Sequence, residues 1–198
     1  MFEYKGLKIR FCKDVYEPDD DTFLLLENIN AKKTDTVLEI GIGTGIVSLF
    51  LAKIAGHVTG VDINPTAVRL AGKNAELNSI TNVKIFKSDL FEKIRGKFDL
   101  IVFNLPYVPT EEKTGEPIAA AWDGGADGRK VTDRFLKQAI AHIKDGGRIV
   151  VVDSSLGKHK KTIDFLEKNG FRAKILAEKR LFFETLLVIE GKHINRDN

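Results

Sequence analysis

Four consecutive residues, Asn104-Leu105-Pro106-Tyr107, have the make-up of a site for a planar nitrogen. The Asn104 side-chain oxygen and the Leu105 backbone carbonyl are two neighbouring hydrogen-bond acceptors. Set on the two N–H groups of an amide or amino group, they orient its lone pair and favour positive charge developing on the nitrogen. Tyr107 offers a flat face to such a group, and Pro106 restricts the backbone of Leu105 before it. Three further clusters suit a nucleoside. Gly41, Gly43 and Gly45 lie in Glu39-Ile-Gly-Ile-Gly-Thr-Gly, where glycines let the chain turn sharply and approach a ligand closely. The third glycine of a dinucleotide fingerprint is replaced by Ile46, so the spacing is not that of a pyrophosphate loop. Asp62 can accept from both hydroxyls of a ribose, although Asn64 is the better helix cap there. Asp89 can accept from an adenine amine while Leu90 packs on the ring with its N–H free, or it can simply cap a turn.

Positioning these groups requires elements that end where they stand. Apolar runs predict strands over 36–40, 58–61, 83–86, 98–103, 147–152, 171–177 and 182–189. Helical patterns fill 45–55, 65–78, 129–143 and 158–169, with Pro65 in a first turn and Gly170 as a stop. Strands alternating with helices imply a parallel sheet covered on both faces. The last two strands are too close for a crossover helix and must pair antiparallel. In an open sheet of this kind ligands bind at the carboxyl ends of the strands, and all four clusters fall there.

Composition narrows the class. The chain has 198 residues, 43% of them apolar, which suits one domain. No apolar stretch reaches the roughly 18 residues of a membrane span. Residues 1–11 alternate like a strand, unlike a signal peptide. Cys12 is the only cysteine; it reads as a small apolar packer, excludes intrachain disulfides and suits the cytoplasm. His57, His142, His159 and His193 lack metal spacing, and no metal is expected. The formal charge of +3 gives no reason to expect direct nucleic-acid binding.

The order of these clusters resembles that of S-adenosyl-L-methionine (SAM)-dependent methyltransferases with a single-domain, seven-stranded, Rossmann-like α/β fold and a C-terminal antiparallel hairpin. The Glu39–Gly45 loop is similar to their motif I, which passes under the methionine of the cofactor. Residues 104–107 are similar to motif IV of amino-methyltransferases, usually Asn-Pro-Pro-Tyr, with Leu105 in place of the first proline. Two more segments, Asp14-Val-Tyr-Glu-Pro-Asp-Asp-Asp-Thr22 and Ala119-Ala-Ala-Trp122-Asp-Gly-Gly-Ala-Asp-Gly-Arg129, resemble the HemK2/Mtq2 branch of the HemK/PrmC family, as does Glu184-Thr185-Leu-Leu-Val.

That resemblance implies transfer of a methyl group to the glutamine of the Gly-Gly-Gln loop of a class-I release factor. Asn104, Leu105, Pro106 and Tyr107 would be catalytic. Thr22, Glu39, Gly41, Gly43, Gly45, Asp62, Asp89, Leu90 and Asn104 would hold SAM, with Tyr16 to Pro18 at the pocket entrance. Asn104, Tyr107 and Trp122 would meet the substrate. A Trm112-like, zinc-containing activator would be a partner, with the apolar stretch 80–86 as its candidate seat. By this account residues 1–30 close over the cofactor site, 31–191 form the core and 192–198 are a polar tail. Read from the residues alone, Asp19 to Asp21 are an acidic helix start, and the glycine-rich 123–128 segment is a flexible loop at the substrate mouth. The alternatives are a nucleic-acid adenine N6-methyltransferase, a protein-lysine methyltransferase and a SAM-binding scaffold that transfers nothing.

Overall fold

A computed structural model of the chain describes residues 1–110 and 117–194. It begins with a short hairpin, β1 (Phe2–Tyr4) and β2 (Leu7–Ile9), followed by helix α1 (Asp20–Asn28). The main sheet is built from β3 (Thr36–Ile40), β4 (His57–Asp62), β5 (Val83–Lys87), β6 (Phe98–Asn104), β7 (Ile143–Ser154), β8 (Phe171–Arg180) and β9 (Thr185–His193). Helices α2 (Ile46–Ala52), α3 (Pro65–Leu77), α4 (Lys130–His142) and α5 (His159–Lys168) connect them. Its seven strands run in the order β5-β4-β3-β6-β7-β9-β8. Strand β9 alone runs against the direction of the other six.

Alternation along the central strands divides the core. Val37, Leu100, Val102 and Val150 point to one face, with Leu25 and Leu26 of α1 and Val47 and Leu51 of α2. Leu38, Ile101, Phe103 and Val151 point to the other, under Phe135 of α4 and Leu166 of α5. Side chains that alternate across a strand bury both faces when helices cover both. The chain leaves β3 toward β4 and β5 and returns to β6 on the opposite side. The carboxyl ends of β3 and β6 therefore flank the switch point, the usual place for a ligand in such sheets.

Several boundaries differ from the periodic pattern. Helix α2 is shorter than 45–55: Gly45 is its left-handed N-cap, at φ 87°, and Lys53 is already its C-cap. Strand β7 begins at Ile143 and not at 147, since Phe98 pairs with Ile143 ahead of a bulge. Phe182 and Phe183 lie in the turn between β8 and β9 and not in the last strand. Lys192 and His193 pair with Arg172 and Phe171, so the strand runs two residues into the expected tail; Ile194 N donates to Gly170 O at 2.9 Å, and 195–198 lie outside the described residues. Residues 123–128, expected to be a flexible loop, are paired to the backbone: Gly124 N donates to Val108 O (2.9 Å) and Thr110 N to Gly125 O (3.0 Å).

The first thirty residues are tied down by two asparagines, Asn74 of α3 and Asn78 at its C-cap. Asn78 Oδ1 accepts from Lys8 N and its Nδ2 donates to Lys8 O, both at 2.8 Å. The fully buried Asn74 accepts from Arg10 N (2.9 Å) and donates to Thr44 O (2.9 Å). One side chain thus joins the leading segment to the glycine turn after β3, and carries the chain on to Val15 and Tyr16 above the sheet edge.

Candidate active site

A cavity of about 290 Å³ opens at the carboxyl ends of β3, β4, β5 and β6. Its floor is Gly41, Gly43, Asp62 and Asn104, one strand end after another, and Leu90 and Pro106 complete it. Val15 and Tyr16 form part of its roof, and Lys130 and Arg134 of α4 reach its far side.

Asp62 ends β4 with its carboxylate turned back onto the glycine turn. Its Oδ2 accepts from Gly43 N at 3.0 Å and its Oδ1 from Asn64 N at 2.8 Å. Each oxygen keeps a free lone pair, so a diol above it can still be bound. Burial raises the Asp62 carboxyl above its ordinary range, against the backbone N–H groups of Asn64, Gly43 and Ile63. Glu39 lies beneath the same turn, off the cavity wall, and accepts from the Ser48 hydroxyl. Complete burial pushes its carboxyl up to about 8. Gly45 is also off the wall: a side chain there would meet Ala71 at 3.1 Å, so the residue sets how closely α2 and α3 approach.

Beyond β5, Leu90 adopts φ 45°, a left-handed conformation uncommon for leucine. Ser88 holds it there, donating its hydroxyl to Leu90 O at 3.0 Å. Backbone strain of this kind gathers at binding sites. Asp89 reaches the cavity but spends one oxygen on Arg134, at 2.9 Å. That half-exposed pair was not readable from spacing.

Asn104 is the last residue of β6. Its Oδ1 is buried and has no hydrogen-bond partner among the described residues. Nearly every buried polar atom is paired, so an orphan acceptor on a cavity wall marks a place kept for a donor. The next residue divides its parts: Leu105 N donates to Val152 O at 3.2 Å, and the side chain is buried in the core. A leucine at this position therefore anchors the turn after β6 through packing. Tyr107 stands half-buried beyond it, and neither it nor Leu105 is on the cavity wall. Burial first, then the charges of Asp21 and Glu184, push its phenol well above the usual range, so it stays protonated. Tyr16 is raised in the same way, and its hydroxyl donates to Asp21 Oδ2 at 3.2 Å.

Not every expected residue reaches the cavity. Thr22 is buried and its hydroxyl donates to Asp21 at 3.0 Å. Trp122 is half-buried on the neighbouring segment, away from the wall. That segment lies against the Asn104–Tyr107 backbone because its glycines allow it. A side chain at Gly124 would come within 2.8 Å of Pro106 O, and one at Gly128 within 2.6 Å of Tyr107 O. Arg129, missed in the sequence, locks the segment in place. Only 2% exposed, it donates to Gly157 O (2.9 Å) and Thr162 Oγ1 (2.7 Å), facing the fully buried Asp153. Among the described residues there is no cluster of side chains able to hold a metal, and no helix is long and apolar enough to cross a membrane.

The family described as methyltransferase small domain matches residues 10–183. The chain is 46% identical over 194 residues to a Methanocaldococcus jannaschii protein provisionally named a protein N5-glutamine methyltransferase, covering 96% of this chain and 98% of that one. It is 32% identical over 191 residues to methyltransferase HEMK2 of Homo sapiens, covering 89% of each. Among solved structures it is similar to the E. cuniculi Mtq2–Trm112 complex that methylates the eRF1 translation termination factor, with a TM-score of 0.72 and 28% identity over 91% of this chain and 99% of that one.

Proposed function

The chain belongs to the methyltransferase small-domain family and, within it, to the HemK2/Mtq2 branch, and from that premise we propose that it methylates the side-chain amide of the glutamine in the Gly-Gly-Gln loop of a class-I release factor, using SAM. The observation that carries this reading is the unpaired Asn104 Oδ1 on the cavity wall. An amide nitrogen is a poor nucleophile because its lone pair is spread into the carbonyl. One N–H donates to Asn104 Oδ1 and the other to the Leu105 carbonyl, which turns the lone pair toward the methyl donor and stabilises the charge that appears on nitrogen. Tyr107, held neutral, gives its ring face to the flat amide.

SAM, when bound, supplies a methyl group on a good leaving group, so the protein's task is mostly alignment. Asp62 takes the ribose hydroxyls with its free lone pairs. Leu90 lies against the adenine, and the Asp89 oxygen not used by Arg134 accepts from the amine. Gly41 and Gly43 keep side chains off the methionine path; Glu39 and Gly45 shape the turn from behind. Thr22, off the wall, acts through Asp21, which accepts both its hydroxyl and that of the wall residue Tyr16. Segment 1–30, carrying Tyr16, closes the cavity over the cofactor. A Trm112-like zinc protein is proposed as the activating partner, seated on β5, the edge strand opposite β8.

Labelled SAM offered with a Gly-Gly-Gln factor, with and without the Trm112-like protein, tests the reading; label in nucleic acid, or in neither, defeats it. One feature favours a second substrate. Asp21 and Glu184 lie near enough to Tyr107 to raise its phenol, an acidic setting that also suits a lysine ammonium. Mass spectrometry of the modified residue separates glutamine from lysine.

A further inference from the structure

Among the described residues Phe182 and Phe183 are the two largest apolar side chains left in solvent, 91% and 86% exposed, with their rings in edge contact at 4.6 Å between centroids. They occupy the tip of the β8–β9 hairpin, closed by Leu181 N donating to Glu184 O at 2.8 Å. A tip this tight is ordinarily filled by Asn, Asp or Gly for conformational reasons. Neither phenylalanine has a positive φ, and neither ring gains burial, so the fold gives no reason for them. Their position does. Because β9 runs antiparallel to β7, the tip stands at the carboxyl edge of the parallel strands, the edge that carries the cavity. Glu184 accepts from the Ser154 hydroxyl, and its charge reaches Tyr107. Ser155 N donates to Thr185 O at 2.9 Å, and the next residue, Leu156, is also exposed. Lys179 and Arg180 precede the pair, and Lys158 and Lys160 follow Leu156, all exposed; Lys179 pairs with Asp20 (2.7 Å) and Lys158 with Asp127 (3.4 Å).

We propose that Phe182 and Phe183, with Leu156 beside them, form the docking surface for the folded body of the protein substrate: an apolar hollow with an acidic rim on the release factor, outside the glutamine loop itself. Exposed apolar patches rimmed by charge mark protein contacts, and aromatic anchors dominate such contacts. The surface lies on the same sheet edge as the substrate mouth, and Arg180 and Lys160 supply the positive charge that an acidic rim on the partner needs. This inference rests on the methyltransferase reading above. It adds a second point of grip that fixes how the loop enters.

The decisive comparison is wild type against F182S/F183S, each with the same Gly-Gly-Gln factor and the Trm112-like protein. Expected is a fall of roughly tenfold or more in kcat/KM on the intact factor, carried by KM, with an unchanged dissociation constant for SAM and recovery in F182Y/F183Y. An unchanged kcat/KM overturns the docking surface while leaving the activity standing. So does a loss of SAM binding equal to the loss of activity, or a dimer in wild type that becomes a monomer in the variant. If wild type methylates no such factor, the activity reading fails first and the docking surface falls with it.

Discussion

Replacing Asn104 with alanine separates catalysis from folding more sharply than any other single change. Its Oδ1 is buried without a partner among the described residues, and an unsatisfied buried acceptor costs about 1–3 kcal/mol. Asn104→Ala removes that penalty and loses some packing at a half-buried position. The melting temperature should therefore hold or rise, by about 2–4 °C for each kcal/mol recovered in a domain of this size. Transfer should collapse. Loss of one preorganised partner of a developing charge lowers kcat by about 100- to 1000-fold, while the dissociation constant for SAM changes little because Asp62 and the glycine turn remain. The assays are single-turnover methyl transfer, calorimetric titration with SAM and a thermal melt on one preparation. A melting temperature lowered by more than about 5 °C, with SAM affinity lost in step, would show that Asn104 holds the strand end together and would refute its role as a reserved acceptor.

Asp62→Ala should weaken SAM binding by roughly 10- to 100-fold, since it removes two charge-assisted bonds to the ribose and frees Gly43 N; an unchanged dissociation constant by calorimetry removes Asp62 from the site. Glu39 carries a pH signature. Burial lifts its carboxyl from 4.5 to about 8 in the folded chain, so the fold binds a proton that the unfolded chain has released. Its stabilising contribution is whole below about pH 4.5 and disappears as pH rises through 8. Asp62 and Asp153, also raised by burial, slope the same way, so the share due to Glu39 is the difference between wild type and Glu39→Gln. The melting temperature of the ligand-free variant should fall less between pH 5 and 8, and parallel curves would contradict the assignment. Arg129→Met takes away the cation facing the buried Asp153, which keeps only the Thr162 hydroxyl and Ser154 N–H. Urea unfolding should register a loss of about 3–5 kcal/mol, and a loss below about 1 kcal/mol would mean that Asp153 takes up a proton cheaply instead.

The order of strands and helices, and the fact that Gly41, Gly43, Asp62, Asp89 and Asn104 stand at strand ends, were legible in the sequence. Residue period and chain breaks are local properties, and a parallel sheet places all such ends on one edge. Tertiary structure alone decided what each group does there. Asp89 finds Arg134 across 45 residues, Asn74 finds both Arg10 and Thr44, and Arg129, read only as the first residue of a helix, is buried against Asp153. The glycines of 123–128 read as flexible and instead give room for the backbone of Pro106 and Tyr107. Phe182 and Phe183 read as strand because they are apolar, yet the pairing of β9 with β7 leaves them in the turn. Which polar atoms are satisfied and which apolar ones stay in water depends on partners far apart along the chain. That is why the sequence located the strand ends, while only the packed fold left Asn104 Oδ1 without a partner.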